Sequence, residues 1–256
     1  MHLSFMVFQW KCILKCATFD TMSGKNILLA GTGELGKALA YDLLLAGNRI
    51  LINSRNNEKL EKIVSEYSVY GNIQYVAMEL KDEQSCNDLV EESLDKLKSI
   101  DSMVVMVGGF VEDTIENLDG LGPMILNHLQ IPLYLAKHAI KHMGYGSSII
   151  FVSNSSSSVK NKPNLLSYSI SKYALEKAAK IMALELLERG ITVNVVAPEY
   201  IIQNFTIGRD YTKMRKYGDL ETPPEDISRV ITFLIDGKSS WINGAVIPVD
   251  GGHSLK

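Results

Sequence analysis

The sequence predicts a single-domain α/β fold, a doubly wound parallel sheet of about seven strands with helices on both faces. The chain has 256 residues, a length that suits one large α/β domain. Short β-rich runs alternate with longer amphipathic segments, as expected when helices cross over between parallel strands. Several of the β-rich runs are apolar throughout, which is typical of strands that helices cover on both faces.

Seven segments are predicted as strands: residues 27–30, 49–53, 73–79, 102–107, 148–153, 192–197 and 245–249. Six amphipathic segments are predicted as helices: residues 35–46, 58–67, 84–98, 123–143, 167–189 and 224–235. A doubly wound sheet binds its ligand beyond the carboxyl ends of its strands. The residues that directly follow each strand are therefore the first candidates for a site.

Composition excludes several classes of protein. The 26 Lys and Arg residues are balanced by 29 Asp and Glu residues, with a net charge of −3, so the basic surplus of a nucleic-acid binder is missing. No apolar run reaches the roughly 18–20 residues of a membrane span. Three cysteines are too few for a disulfide scaffold. We therefore expect no nucleic acid and no membrane as partner, reduced thiols and a cytoplasmic location.

Residues 1–21 differ in character from the rest of the chain. They are apolar, but Lys11 and Lys15 interrupt them, whereas a secretory signal has its basic residues first. We interpret them either as an extension that the natural protein lacks, with Met22 as its start, or as a loosely attached segment. Residues 22–256 are then the folded domain. Cys12 and Cys16 have no further ligand type close by in the sequence, so we predict no metal site.

The first predicted strand runs directly into a glycine-rich turn, which a helix follows. The turn has the pattern G-x-G-x-x-G, and its residues are Gly31, Thr32, Gly33, Glu34, Leu35 and Gly36. In this context the glycines allow a tight turn and a close approach of the backbone to a pyrophosphate, which meets the free N–H groups of the helix. The segment predicts a Rossmann-type dinucleotide site, the alternative being an ordinary strand–helix turn.

The end of the second strand indicates which dinucleotide is bound. A carboxylate there accepts a hydrogen bond from the ribose 2′-hydroxyl of NAD, whereas an arginine can hold the 2′-phosphate of NADP. The sequence has Ser54 and Arg55 and no acid at this place, and a guanidinium matches a phosphate well. We predict NADP(H) in preference to NAD(H), the alternative being that Arg55 is a solvated loop residue.

A tyrosine and a lysine one helical turn apart predict the chemistry. Tyr168 and Lys172 are four positions apart at the start of a predicted helix, so both project from one face. A buried ammonium stabilises a phenolate and lowers the pKa of the phenol from about 10, which makes Tyr168 a general acid for a carbonyl oxygen. The pair alone is frequent on amphipathic helices. Here, however, Ser155 follows a predicted strand 13 positions upstream.

Together these motifs resemble the short-chain dehydrogenase/reductase family of the classical type. The resemblance covers about residues 24–252. It includes the glycine loop, the Y-x-x-x-K pair, the strand V-N-x-x-A-P at 193–198 and the ending W-I-N-G-A-V-I-P-V-D-G-G at 241–252. Several motifs in this order are far more specific than any one of them.

The resemblance implies four catalytic residues: Asn127, Ser155, Tyr168 and Lys172. Tyr168 would be the acid/base, and Lys172 would lower its pKa and bind the nicotinamide ribose. Ser155 would bind the substrate carbonyl oxygen, with Ser153 or Ser156 as the alternative register. Asn127 would hold a water in a proton relay to the lysine, the alternative being a buried helix amide.

The resemblance also implies further cofactor contacts after the other strands: Glu79 and Leu80 (or Asp82 in place of Glu79), Gly108, Pro198 and Ile201. Several positions depart from the family pattern. The glycine loop begins at Ala30 and is one residue shorter, and V-M-V-G at 105–108 replaces N-N-A-G. Glu199 replaces the glycine after Pro198, and Gln203 stands near the expected threonine. These changes put the cofactor geometry in question and leave the reaction class unchanged.

The function implied is that of an NADP(H)-dependent oxidoreductase that interconverts a carbonyl and a secondary alcohol, similar to 3-oxoacyl-carrier-protein reductases. Two alternatives stay open: a sugar or other alcohol dehydrogenase of the same family, and a non-catalytic dinucleotide-binding regulatory protein. The partner would be a small carbonyl or alcohol substrate, or an acyl thioester on a carrier. The family also implies a homotetramer.

A segment at about 199–220 corresponds to the family's substrate lid. It carries four basic residues: Arg209, Lys213, Arg215 and Lys216. A basic lid would favour an acidic substrate or an acidic carrier protein. A solvated mobile loop is the alternative.

Overall fold

A seven-stranded parallel sheet lies at the centre of the computed structural model, which describes residues 24–156, 160 and 162–256. Its strands are β1 (Asn26–Ala30), β2 (Arg49–Ser54), β3 (Ile73–Ala77), β4 (Ser102–Val105), β5 (Ser148–Val152), β6 (Thr192–Ala197) and β7 (Val246–Pro248). Their order across the sheet is β3-β2-β1-β4-β5-β6-β7. The order reverses between β1 and β4, so the carboxyl ends of these two strands flank the crevice where such a sheet binds its ligand.

Helices connect the strands and cover both faces of the sheet. They are α1 (Glu34–Leu45), α2 (Asn57–Tyr67), α3 (Glu83–Leu97), α4, α5 (Leu166–Glu185) and α6 (Pro224–Ile235). Helix α4 has three consecutive parts, Leu121–Ile125, a π-helical segment Leu126–Gln130, and Ile131–Ala139. Polar side chains begin two of the helices: Asn56 accepts a hydrogen bond from the N–H of Lys59, and Asp82 accepts one from the N–H of Ser85.

Two hydrophobic clusters form the core, one on each face of the sheet. Successive residues of β1 face opposite clusters: Leu28 packs with α3, α4 and α5, whereas Ile27 and Leu29 pack with α1, α2 and α6. All three side chains are fully buried. This explains why the strand is apolar throughout, since both of its faces are covered. The predicted fold class is confirmed.

All the predicted strands and helices are present, with two differences at the site. Strand β3 ends at Ala77 and β4 at Val105, two residues earlier in each case than the apolar runs predicted. The residues beyond them line a groove instead of continuing the sheet. The structure also contains a short parallel pair that was not predicted, Tyr200–Ile201 with Glu221–Thr222, and its two members bracket the predicted lid.

Asn194 ties β6 to the C-terminal segment. Its buried side-chain amide donates to the carbonyl of Ile242 at 2.8 Å and accepts from the N–H of Ala245 at 3.0 Å. The asparagine of the V-N-x-x-A-P strand therefore fixes the polypeptide that leads into β7. The predicted extension at 1–21, with Cys12 and Cys16, lies outside the described residues. Within the described ranges, no helix is both long and apolar enough to cross a membrane.

Candidate active site

A groove runs across the carboxyl ends of the central strands. It consists of two adjoining cavities, of about 560 Å³ and 450 Å³. Residues 106–109, which follow β4, line both. The first cavity contains the glycine loop and the end of β2, and the second contains Tyr168 and Lys172. One ligand lying along the groove can therefore contact both sets of predicted residues.

The glycine loop has the geometry that a dinucleotide requires. Gly31 has a φ of +97°, and a Cβ on it would lie 2.8 Å from the carbonyl carbon of Met106. A Cβ on Gly36 would lie 2.9 Å from the carbonyl oxygen of Gly31. At Gly33, which lines the groove just before α1, a Cβ would meet nothing within 4 Å. Gly31 and Gly36 thus permit close packing of the backbone. Gly33 leaves the backbone at the N-terminus of α1 accessible from the groove. This arrangement fits a pyrophosphate.

The end of the groove beside β2 carries two cations. Arg55 lines it with its side chain 80% exposed, 4.0 Å from Glu79, and Ser54 and Leu80 line it as well. Lys59, which the sequence analysis did not single out, also lines it and donates to the carbonyl of Thr32 at 2.5 Å. Lys59 lies in the first turn of α2, and its position in the sequence does not show that its ammonium reaches the glycine loop.

Three of the predicted loop residues are not among the described residues that line the groove: Glu34, Leu35 and Gly36. Leu35 is buried in the core. Glu34 forms an ion pair with Lys37 at 2.7 Å and accepts a hydrogen bond from the N–H of Phe205 at 2.5 Å. The Glu34 carboxylate therefore links the glycine loop to the lid.

Three of the four residues that the resemblance implies as catalytic line the groove. Tyr168 and Lys172 project from α5 into the second cavity, with the Lys172 ammonium 5.8 Å from the centre of the Tyr168 ring. That ammonium donates to the carbonyl of Val152 at 3.0 Å. Asn127, in the π-helical segment, lines the adjoining cavity beside Gly109. Pro198 and Ile201 also line the Tyr168 cavity.

The proton affinities of this pair differ from the expectation. Burial, with a contribution from the charge of Glu199, raises the pKa of Tyr168 to about 12. Burial lowers the pKa of Lys172 to about 8, although Glu176 opposes the shift. The expected lowering of the Tyr168 pKa is therefore not found, because the loss of solvent around the phenolate is the largest influence and the Glu199 charge acts in the same direction. Tyr168 is protonated at neutral pH and can donate a proton.

His128 is a site residue that the sequence analysis missed. It is 2% exposed, lines the Tyr168 cavity and packs edge-to-face on the Tyr168 ring at 5.3 Å. Burial, with the charge of Lys172, lowers the pKa of His128 to about 3, so its ring is neutral. Its Nε2 lies 2.9 Å from the carbonyl oxygen of Gly109 and therefore carries the ring hydrogen. Its position directly after Asn127 was the only signal in the sequence.

Asp113 positions the start of α5. Its carboxylate accepts from the N–H of Ser167 at 2.9 Å and from the hydroxyl of Ser167 at 2.5 Å. These hydrogen bonds hold the pKa of Asp113 below its usual range. Ser167 directly precedes Tyr168, so Asp113 orients the helix turn that carries the phenol. The two residues are 54 positions apart, and no local pattern indicated the contact.

The structure does not bring Ser155 to the Tyr168 cavity. The described residues that line the cavity include Ser153 and Asn154 and not Ser155. The Ser155 hydroxyl donates to the Glu199 carboxylate at 2.9 Å. The neighbouring serines are bound in the same way, Ser156 to Glu199 at 2.5 Å and Ser153 to Glu176 at 2.8 Å. In each alternative register, therefore, the serine hydroxyl donates to a carboxylate.

The outer wall of the Tyr168 cavity is largely apolar. Phe110, Leu165, Tyr200 and Leu220 line it, and Phe110 packs edge-to-face on Tyr168 at 5.3 Å. Such a wall favours the apolar body of a substrate, with Tyr168 as the polar group that orients it. Within the described parts of the chain, no cluster of His, Cys, Asp and Glu side chains could hold a metal ion.

The basic residues of the lid do not form a free positive surface. Each is paired with a carboxylate, and the pairs are Arg209–Glu225, Arg215–Asp226, Lys213–Asp210 and Lys216–Asp219. Arg209 is bidentate, at 2.6 and 2.9 Å. Glu225 and Asp226 belong to the first turn of α6, so the lid is anchored to that helix. Because a carboxylate lies beside each of these cations, the lid does not present the net positive charge that would attract an acidic carrier protein.

Comparison with known proteins agrees with this geometry. A family model described as enoyl-(acyl carrier protein) reductase matches residues 30–254. The chain is 27% identical to versicolorin reductase of Emericella nidulans over 90% of the chain and 96% of that protein. It is 28% identical to glucose 1-dehydrogenase of Gluconobacter oxydans over 92% and 94%.

A solved structure has the same fold. It is a short-chain dehydrogenase of Burkholderia cenocepacia in complex with NADP, which superposes with a TM-score of 0.81 at 20% identity and covers 93% of this chain and 100% of that one. The family model, the relatives and the groove agree on one class of protein. The chain belongs to the short-chain dehydrogenase/reductase family, whose members bind nicotinamide dinucleotides, and is an NAD(P)-dependent oxidoreductase.

Proposed function

We propose that the protein is an NADP(H)-dependent carbonyl reductase, interconverting a ketone and a secondary alcohol. The observation that carries the proposal is the protonated Tyr168 beside Lys172, in a cavity that adjoins the dinucleotide groove at residues 106–109. A nicotinamide dinucleotide held in the groove would supply the hydride that the carbonyl carbon receives. Tyr168 donates its proton to the oxygen that becomes an alkoxide, and the Lys172 ammonium stabilises the negative charge.

The cavity supports an apolar ketone of ring or acyl type as the substrate. Phe110, Leu165 and Tyr200 would contact its body, and one of the relatives is itself named as a reductase, versicolorin reductase. A 3-oxoacyl thioester belongs to this class. The paired lid cations give no support for an acidic carrier. The apolar wall gives less support to a sugar, as for glucose 1-dehydrogenase; the polar side chains of Asn154 and Gln203 also line the cavity.

The test is oxidation of NADPH with a bicyclic aromatic ketone, a 3-oxoacyl thioester and an aldose. We expect kcat/KM to be at least about tenfold higher for the two apolar substrates than for the aldose, since one or two lost apolar contacts account for that much. Tight NADPH binding without turnover of any ketone or aldehyde would contradict the proposal. It would favour the alternative of a regulatory dinucleotide-binding protein, for which the carboxylate-bound serines are the supporting observation.

Arg55 supports NADP(H) over NAD(H). We expect Arg55→Ala to weaken NADPH binding by about tenfold or more, because one charge-assisted contact to the 2′-phosphate is lost, and to change NADH binding by less than about twofold. Titration of both cofactors gives the two Kd values. Arg49→Ala is the matched control, since Arg49 is exposed at the opposite end of β2. An equal loss for both cofactors, or none for NADPH, would refute the assignment.

Lys172 predicts the pH dependence of the reaction. Its pKa is lowered to about 8, so its charge is present below that pH and is lost above it. We expect kcat/KM for ketone reduction to be constant below about pH 7 and to fall about tenfold per pH unit well above pH 8. Lys172→Arg keeps a cation at every pH, so its residual activity should lack this limb. A flat native profile up to pH 10 would be evidence against the role of Lys172.

We also propose a homotetramer, as is common in this family. Helix α5 supports it, because its outer face exposes Ile170, Tyr173, Ile181 and Leu184. Exposed apolar side chains on one helix face, here with Lys177 among them, are compatible with an interface between subunits.

A further inference from the structure

Glu199 stands where the family has a glycine, and its side chain is built into the wall of the Tyr168 cavity. The side chain is 5% exposed. One carboxylate oxygen, Oε2, accepts from the Ser155 hydroxyl at 2.9 Å, from the Ser156 N–H at 3.0 Å and from the Ser156 hydroxyl at 2.5 Å. The other, Oε1, pairs with the Lys162 ammonium at 2.5 Å. Burial opposes the charge, but these donors hold the pKa of Glu199 below its usual range.

The backbone fixes this carboxylate relative to Ser155. The N–H of Ser155 donates to the carbonyl of Pro198 at 2.9 Å, and the Asn154 side chain donates to the carbonyl of Glu199 at 3.0 Å. A second carboxylate lies on the same hydroxyl. Burial opposes ionisation of Asp250, but hydrogen bonds from Ser254, Gly252 and Ser155 keep its pKa low. The Ser155 proton therefore faces negative charge.

A hydroxyl has one proton to donate. When the Ser155 proton is bound to Glu199, it is not available to the carbonyl oxygen of a substrate. Breaking a hydrogen bond to a charged group is costly, and the loss corresponds to about tenfold or more in an equilibrium. A glycine at this position has no side chain to hold the serine.

We propose that Glu199, with Asp250 as a second acceptor, is a positioning residue that withholds the Ser155 hydroxyl from the substrate, so that Tyr168 alone among these hydroxyls binds the carbonyl oxygen. The proposal rests on the proposed function, because it concerns the same reaction. The glutamate at position 199, where the family has a glycine, would then change the role of the family's catalytic serine. The expected consequence is a slower ketone reduction than the same fold allows with Ser155 free.

The test is a double-mutant cycle on positions 155 and 199 in an Asp250→Asn protein, because the Asp250 carboxylate would otherwise take the Ser155 proton once Glu199 is removed. In that protein we expect Glu199→Gly to raise kcat/KM for ketone reduction by about tenfold or more. Ser155→Ala should cost at least about tenfold more when Glu199 is replaced by glycine than when Glu199 is present. Glu199→Gln, which keeps the side-chain volume, is also expected to raise kcat/KM for ketone reduction. Lys162→Met is the matched control, because it removes the cation on Oε1 and leaves Ser155 on Oε2; it should give no Ser155-dependent gain.

A second readout needs no turnover. The Kd of the ketone in the complex with NADP⁺ should tighten in Glu199→Gly and loosen again when Ser155→Ala is added, with NADPH affinity and thermal stability measured for each variant. Equal costs of Ser155→Ala in the Asp250→Asn protein with Glu199 present and with Glu199→Gly, in kcat/KM and in Kd, would overturn the proposal. If no variant reduces any ketone, the proposed function fails, while the ketone Kd cycle still decides the role of Glu199.

Discussion

Tyr168→Phe is expected to lower kcat for ketone reduction by about 10²- to 10⁴-fold, the usual contribution of a general acid. The substitution removes only the hydroxyl. The ring keeps its edge-to-face contacts with Phe110 and His128, so the cavity keeps its shape. NADPH oxidation with a saturating ketone measures the effect directly.

The matched control for this change is Tyr173→Phe. Tyr173 lies on the same helix, is 57% exposed and does not line the cavity among the described residues. We expect the Tyr173→Phe variant to reduce ketones at the native rate. The Tyr168→Phe variant should bind NADPH with a Kd within about twofold of the native value, because the phenol hydroxyl contributes to chemistry more than to ground-state binding. Full activity of Tyr168→Phe would remove the basis for the mechanism.

Gly31→Ala is expected to destabilise the protein by about 2–5 kcal/mol, the sum of a left-handed backbone penalty and overpacking. Gly31 has a φ of +97°, and the new Cβ would lie 2.8 Å from backbone atoms of Met106, which cannot move independently of β4. Unfolding in urea gives the free energy change, and the variant should also lose NADPH affinity because the loop must shift.

Gly33→Ala separates folding from cofactor binding in the same loop. Gly33 has a φ of −91°, and a Cβ there would meet nothing within 4 Å, so the free energy of unfolding should change by less than about 1 kcal/mol. The methyl group would stand in the groove where the pyrophosphate approaches, and we expect NADPH to bind at least about tenfold more weakly. Similar stability losses at both positions would show that the close approach at Gly31 has been misjudged.

Periodicity and motif order were sufficient to predict the fold. The glycine loop, the strand with Asn194 and the Tyr168–Lys172 pair are local patterns, and each marks the carboxyl end of a strand or the start of a helix. Strands β3 and β4 were predicted two residues too long because Met78 and Met106 are apolar, whereas in the structure they line the groove. Apolar character alone does not distinguish a strand residue from a groove residue.

The site residues that were missed depend on contacts between distant segments. Asp113 reaches Ser167 and Lys59 reaches Thr32 across separate elements. The direction of the Tyr168 pKa shift was also wrong, because the spacing of two residues on a helix does not reveal how deeply both are buried. Glu199 was recognised as a departure from the family pattern, but its contact with Ser155 appears only when the ends of β5 and β6 are brought together.

The central claim is that Tyr168 donates the proton in a ketone reduction whose hydride comes from NADPH bound in the groove. The most direct measurement follows deuterium from NADPH labelled at C4 into the product of an apolar ketone, by mass spectrometry, for the native protein and for Tyr168→Phe. The account predicts deuterium on the carbinol carbon with the native protein, formed at least about 10²-fold more slowly by the variant. Tight NADPH binding without labelled alcohol from any ketone, or equal labelling by the two proteins, would contradict it.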